Sequence, residues 1–527
     1  MTKQHTNTKG MSVRLLKKNK LAVCMALAIT ALGCSSTQQG LDNKQTQNSK
    51  PIHYQPNWQS LSQHEAAPEW FQDAKLGIYF HWGPYSVPAF GTAWYSGNMY
   101  RKGSSMNRHH EKTYGPVEEF GYEDFIPMFK AEHFDPAEWA QLFKDSGAKF
   151  AGPVAQHHDG FAMWDSQVNP WNAKDMGPKR DILGELFSEL KQRDLKTIAT
   201  FHHARNGQRN KHKLEKGMKD FNSHYPWYQG SPTTTNDPKL RKLFGNFETL
   251  DEFNQYWLEQ VDEVVYKYSP DIIWFDSWMN MVPESYRKQM AANFFNHAQK
   301  TGQEVVTVHK HNDMPTSLSV LDFEQGGRRD LHPEPWMTDI TLSQTRWMYV
   351  EGHPYKDPAL VVRNMIDVWS KNGVVLLNVS PRADGVINQQ QRDALKVIGD
   401  WLKTHGEAVY GTRPFDTFGY GTAGSKSSTH DGQSAKIEYT AKDARFTVSK
   451  DGKAMYVHFL GKPKPGSKVK IKALGRHRYA PRSAVQKVTM LGSDVDVKWQ
   501  DDTYSFNIVM PERDLNEIAT VFKLHLE

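Results

Sequence analysis

Six short apolar runs in this chain finish in a side chain able to carry chemistry. They are LGIYFH at His81, FAGPVAQHH at His157 and His158, TIATFHH at His202 and His203, DIIWFD at Asp276, VVTVH at His309 and VLDFE at Glu324. Imidazoles and carboxylates serve acid–base work, nucleophilic attack and the binding of hydroxyl-rich ligands. One buried histidine is usually a satisfied core group, but six runs with the same kind of ending point to a shared site. Asp276 follows Ile272-Ile273-Trp274-Phe275, where burial raises a carboxyl pKa unless hydrogen bonds or cations keep it ionised; histidines from the other runs are the partners at hand. Its flanking Trp274 and Trp278 suit a sugar, whose apolar face packs on an aromatic ring. Two acids flanking a glycosidic bond can hydrolyse it, one attacking the anomeric carbon and one protonating the leaving oxygen. Asp276 fits the first role, and Glu324, two run ends later, the second.

Other chemistries find less support. Adjacent side chains on a strand point to opposite sides, so His157-His158-Asp159-Gly160-Phe161 is not read as a metal cluster: one imidazole should face a pocket and the other brace it. Neither HExxH nor a cysteine pattern is present, and no metal or organic cofactor is expected. No G-x-S-x-G elbow or P-loop occurs, which argues against serine hydrolases and nucleotide enzymes.

The runs have the length of buried parallel strands, and a parallel barrel gathers its active site from their C-terminal ends. From about Pro51 to Arg413 such runs alternate with helical stretches, including one on which Phe253, Trp257, Val261, Val264, Val265 and Tyr268 recur at helical spacing, with Asp251 as cap and Ser269-Pro270 as stop. VVLLNV, ending at Val379, is a further buried strand. After Arg413 the pattern changes to short strands between turns: ARFTVS, AMYVHFL, KVKIKAL, KVTMLG, VDVKWQ, YSFNIVM and TVFKLHL. That spacing predicts an antiparallel sandwich. Two domains, 51–413 and 414–527, also accord with a chain of 527 residues, more than one core usually fills.

The formal charge of +6 comes from the N-terminus, where Lys3, Lys9, Arg14, Lys17, Lys18 and Lys20 stand with no acid before residue 34; the other bases equal the 59 acids. No nucleic-acid partner is therefore expected. Basic residues, an apolar run from Leu21 to Leu32 and then Ala31-Leu32-Gly33-Cys34 read as a lipoprotein signal, 1–33, with Cys34 acylated and residues 34–50 as a polar tether. This predicts a lipid-anchored protein of the bacterial cell envelope, at the outer membrane or in the periplasm. Local basic clusters at Arg205, Arg209, Lys211 and Lys213, and at Arg328 and Arg329, lie near strand ends and could meet an anionic substrate; a third comprises Arg476, Arg478 and Arg482.

Longer motifs carry a resemblance. KLGIYFHWGPYSVPAFGTAWYSGNMY, AKFAGPVAQHHDGFAMWDS, DIIWFDSWM, LDFEQGG, PWMTDITLSQTRWMY and NGVVLLNVSPRADGVI, spanning about residues 68 to 415, resemble glycoside hydrolase family 29, the retaining α-L-fucosidases. The resemblance implies an α/β fold, an imperfect (β/α)8 barrel followed by a C-terminal antiparallel β-sandwich, and a carbohydrate substrate. It implies Asp276 as nucleophile, with Glu324 as acid/base and Glu334 as the alternative. It also places His81, His157 and His158 on fucose hydroxyls, Trp94 and Trp274 around the pocket, and Trp347 near the sugar's methyl. His202 and His309 join the substrate-binding set as strand-end residues. Departures from the family pattern are Ala93 and Met337 where acids are frequent, FHHARNGQR after the third strand, and Trp347-Met348-Tyr349. They are read as changes at the pocket rim that alter the leaving group accepted. Two other readings stay open: a non-hydrolytic fucan-binding protein, and a hydrolase for another sugar such as a galactoside.

Overall fold

The computed structural model describes residues 52–208, 223–421, 423, 437–477 and 484–527. The expected signal, Cys34, the tether, Arg209, Lys211, Lys213, Arg478 and Arg482 lie outside the described residues. Eight parallel strands form a closed barrel in chain order: β1 (Leu76–Phe80), β2 (Phe150–Gln156), β3 (Lys196–Phe201), β4 (Ile272–Phe275), β5 (Val306–Lys310), β6 (Val320–Asp322), β7 (Trp336–Thr341) and β8 (Gly373–Val379), with β8 pairing back to β1. Alternate residues of each strand fill the interior, among them Tyr79, Phe150, Ile198, Ile272 with Trp274, Val306 with Val308, Val320, Met337, and Val374 with Leu376. This packed layer is the floor on which the next inward-facing residue of each strand stands.

The barrel is imperfect at one arc. Helices lie between most successive strands, such as Ile182–Gln192 after β2, Leu250–Tyr268 before β4 and Pro358–Ser370 before β8, but none separates β5 from β6 or β6 from β7. There β6 has only three residues and meets β7 through the pair Asp322 and Met337. In Leu250–Tyr268 the cap is Thr249, whose side chain accepts from the Glu252 amide at 3.2 Å. Asp251, the expected cap, already lies in the first turn, where its charge suits the helix dipole.

The C-terminal strands are antiparallel. β9 (Thr412–Tyr420), β10 (Ala444–Ser449), β11 (Ala454–Phe459), β13 (Val485–Met490) and β16 (Thr520–Leu526) form one sheet in the order β13-β16-β11-β10-β9; β12 (Lys468–Ile471), β14 (Trp499–Asp501) and β15 (Phe506–Val509) form a second in the order β12-β15-β14. Phe446, Val457, Phe506, Ile508 and Phe522 are in their common core. The sequence patterns did not mark β9, which contains Pro414, a residue that a sheet tolerates at its edge. Barrel and sheets join through Asp367, on helix Pro358–Ser370. It binds Lys371 at 2.8 Å and Arg445 of β10 at 2.5 Å, all three being fully buried. No described helix is long and apolar enough to cross a membrane.

Candidate active site

Strand alternation decides what reaches the mouth of the barrel. Two residues beyond Tyr79 stands His81, two beyond Trp274 stands Asp276, two beyond Val308 stands Lys310, and two beyond Leu376 stands Asn378. Asn378 donates from Nδ2 to Thr341 Oγ1 (3.1 Å) and to the Trp347 carbonyl (2.7 Å), so its Oδ1 must accept from His81, at 2.8 Å from Nδ1 and 3.1 Å from the backbone N–H. His81 therefore turns Nε2 toward the cavity. Burial, with His202 adding to it, pulls this imidazole down to about 3, so it is neutral and accepts at that nitrogen.

His157 and His158 both line the cavity. The expected split between one facing and one bracing ring fails because the chain leaves the β2 ladder, whose register with β3 shifts between Val154 and Gln156, and turns through Gly160 at φ +84°. A Cβ on Gly160 would lie 2.4 Å from the Leu243 carbonyl oxygen, so only glycine fits there. His158 Nδ1 donates to the His202 carbonyl (2.7 Å) and its Nε2 lies 3.3 Å from Asp276 Oδ2; His202 Nδ1 lies 3.4 Å from the same oxygen. Behind them His224, which no strand-end pattern marks, stacks on His158 and meets Ser96 Oγ at 2.7 Å.

The other Asp276 oxygen, Oδ1, is 3.6 Å from Lys310 Nζ. The same ammonium is 3.2 Å from Glu324 Oε2, 3.3 Å from Asp339 Oδ1 and 3.6 Å from Asp322 Oδ2. Trp347 Nε1 donates to Glu324 Oε1 at 3.2 Å, and Tyr79 donates to Asp339 Oδ2 at 2.9 Å. Burial alone would push the Asp276 carboxyl up; the hydrogen bonds from His158 and His202 and the charge of Lys310 outweigh it and hold the group well below the ordinary carboxylate range. Burial and the neighbouring Asp339 drive Asp322 well above that range, and burial raises Asp339 as well. Burial opposes the charge on Lys310, but its carboxylates overcome this and lift it well above an ordinary lysine. Asp276 is thus favoured in its ionised form, while Asp322 and Asp339 are both pushed toward the protonated form.

His81, His157, His158, His202, Asp276, Lys310, Glu324 and Asp339 line a cavity of about 470 Å³ together with Trp94, Trp274 and Trp347. Its wall holds buried polar atoms with no protein partner among the described residues: His157 Nδ1, His202 Nε2 and Trp274 Nε1. Such atoms are ready for the hydroxyls of a ligand. The profile described as alpha-L-fucosidase matches residues 41–407. The chain belongs to the α-L-fucosidase family. Similar proteins include the tissue α-L-fucosidase of Rattus norvegicus, 29% identical over 472 residues that cover 88% of this chain and 89% of the relative, and the plasma α-L-fucosidase of Homo sapiens, 30% identical over 68% of this chain and 72% of the relative. The crystal structure of Thermotoga maritima α-fucosidase in complex with fucose superposes with a TM-score of 0.70 at 28% identity, covering 89% of this chain and all of the other.

In this fucosidase His81, Trp94, His157, His158, His202, Trp274, Asp276, Glu324 and Trp347 share one cavity, the histidines and acids as their places at the ends of apolar runs predict and the three tryptophans as the family resemblance implies. His309 does not. β5 runs one residue further than the apolar run suggests, so Lys310 takes the inward position and His309 points the other way, its Nδ1 on Ser319 Oγ at 2.8 Å. Glu334 is exposed and precedes β7, so it belongs to the opposite end of the barrel from the cavity. Arg328 stacks over Phe323, and neither it nor Arg329 lines the cavity; Arg205 does. Of the departures read as rim changes, Ala93, His202 and Arg205 of the FHHARNGQR segment, and Trp347 line the cavity, whereas Met337 is packed in the barrel interior beneath it. Lys310, Asp339 and Asn378 were missed, although counting by twos from Val308, Met337 and Leu376 reaches each. Two trios have ligand atoms within 4.8 Å of one another and could hold a metal ion, His81 with His157 and His202, and His158 with His202 and Asp276. Hydrogen bonds already account for the Asp276 contacts of the second.

Proposed function

We propose that this fucosidase removes terminal α-L-fucosyl units by double displacement, with Asp276 as nucleophile and Glu324 as acid/base. The observation that carries the reading is Lys310, one ammonium within 3.6 Å of Asp276 and 3.2 Å of Glu324. Added together, those distances cap the oxygen separation at a value that includes the roughly 5 to 5.5 Å of retaining enzymes and excludes nearly all of the roughly 6.5 to 9.5 Å of inverting ones. The ionised Asp276 attacks C1 as the glycosidic C–O bond breaks and Glu324 gives its proton to the leaving oxygen. Glu324 then takes a proton from water, which attacks C1, releases Asp276 and yields fucose with its configuration retained. His81, His157 and His202 take sugar hydroxyls, and Trp274 and Trp347 pack on the ring.

Asp276→Gly should lower kcat on an aryl α-L-fucoside by at least about 10⁴-fold, and added azide should restore turnover as a fucosyl azide. Near-normal activity would remove the assignment. Comparing kcat/KM for aryl fucoside and aryl galactoside tests the sugar, and detectable turnover rules against a purely binding role. From the N-terminal sequence we also infer anchoring through acylated Cys34 at the bacterial envelope. Radiolabelled fatty acid should enter the wild-type chain but not Cys34→Ala.

A further inference from the structure

The residues that follow β1, β2 and β3 bring three imidazoles together in the cavity. His81, His157 and His202 are all buried. Their ring centroids stand 5.4 Å apart for His81 and His157, 5.2 Å for His81 and His202, and 4.7 Å for His157 and His202. Imidazoles on one tetrahedral ion, each nitrogen at about 2.0 to 2.1 Å from it, have centroids roughly 5 Å apart. The triangle therefore already has the spacing that such an ion requires. One ligand nitrogen from each ring lies within 4.8 Å of the other two; a shared ion would draw these atoms to about 3.4 Å by tilting the rings inward.

A metal-binding imidazole gives the N–H of its other nitrogen to a carboxylate or carbonyl oxygen, which fixes the tautomer and aims the lone pair at the ion. Two of the three rings have that outer partner. His81 Nδ1 donates to Asn378 Oδ1 at 2.8 Å, which leaves the lone pair on Nε2. His202 Nδ1 lies 3.4 Å from Asp276 Oδ2, and its Nε2 is buried with no hydrogen-bond partner among the described residues. His157 Nδ1 is likewise buried and unpartnered there. The adjacent His158 has no such nitrogen to offer: its Nδ1 is taken by the His202 carbonyl at 2.7 Å and its Nε2 faces Asp276 at 3.3 Å. The Lys310 ammonium, which opposes a second cation, meets Asp276 at the other oxygen, Oδ1, at 3.6 Å, and is shared with Asp322, Glu324 and Asp339. Three imidazoles suit zinc, copper or nickel, not calcium or magnesium, which take oxygen ligands.

We propose that His81, His157 and His202 form an inhibitory site for a divalent transition-metal ion of the zinc and copper class, which occupies the nitrogens that sugar hydroxyls otherwise take. The competition with sugar rests on the proposed placement of fucose against these imidazoles; the metal site itself does not. Equilibrium dialysis of the untagged enzyme, freed of metal by a chelator and then given Zn²⁺, tests both. At about 100 µM Zn²⁺ one equivalent should bind, saturating L-fucose should displace it, and the apparent KM for an aryl fucoside should rise at least about 10-fold with kcat unchanged. His81→Gln and His202→Gln should each weaken binding of this equivalent at least about 10-fold. His311→Gln, which alters another histidine lining the cavity, should keep it. No binding by the wild-type enzyme up to about 1 mM Zn²⁺, or an equivalent that survives both His81→Gln and His202→Gln, would overturn the metal site. Zinc that both substitutions remove but fucose does not displace would uphold the metal site and overturn the placement of fucose.

Discussion

Two buried charge clusters in this molecule are built on opposite ratios. At the barrel–sheet junction one acid, Asp367, meets two cations, Lys371 and Arg445. Burial would raise the Asp367 carboxyl, but the cations hold it below its ordinary value, so it keeps its charge. At the barrel mouth one cation, Lys310, meets four acids, Asp276, Asp322, Glu324 and Asp339. Four carboxylates around one ammonium cannot all ionise in a dry site, so some bind protons while Asp276, with two imidazoles besides, stays charged. The first ratio pins two substructures together. The second pushes the Asp276 carboxyl down while Asp322 and Asp339 are pushed up, and it ties Asp276 and Glu324 to one ammonium beside the cavity.

Removing Lys310 should have the largest effect. Lys310→Met is expected to lower kcat/KM by about 10²- to 10³-fold. Because the ammonium lowers the Asp276 pKa, its loss lets that carboxyl protonate at higher pH, so the acid limb of the rate profile should move up by about 1 to 3 units. An unmoved limb would detach Lys310 from Asp276. At the junction Asp367→Asn leaves two buried cations without a counter-charge and should cost about 3 to 5 kcal/mol in denaturant unfolding, while activity per folded molecule holds. Lost activity in the folded variant would mean that the clusters communicate.

A smaller effect concerns protonation inside the sheets. Burial, with His405 adding to it, pulls His458 down to about 3 from an ordinary 6.5. Between those values the unfolded chain binds a proton that the folded one refuses, so stability falls as pH drops from about 6.5 toward 3. The slope for one such group approaches about 1.4 kcal/mol per pH unit. His458→Gln should flatten the dependence of unfolding free energy on pH by about that amount; an unchanged slope would place the proton uptake elsewhere. Smallest is Glu334→Gln at the far end of the barrel, expected to change kcat/KM by less than about twofold.

Much of the site was legible because strands that finish in chemically able residues leave a local mark. His81, His202, Asp276 and Glu324 each follow an apolar run directly, and closure of the barrel brings their ends together. The errors arise where a run and its strand end at different residues. VVTVH stops at His309, but β5 continues to Lys310, and one step reverses which side chain faces inward. Asp339 sits inside WMTDIT, where it looks like an interruption of a core strand, yet it faces the same interior as Met337 and pairs with Lys310 and Tyr79. Glu334 precedes its strand, a position that residue type alone does not distinguish from one that follows it.

Taken alone, the sequence determined the class of barrel, its antiparallel companion and the kinds of group at the strand ends, because hydrophobic period and turn residues act over a few neighbours. Which of two adjacent polar residues points inward was settled only by the folded chain, since that depends on register against strands distant in sequence. So was the gathering of acids from β4, β6 and β7 around the lysine of β5: charge sharing at 3 to 4 Å is a property of closure, and no single run contains it.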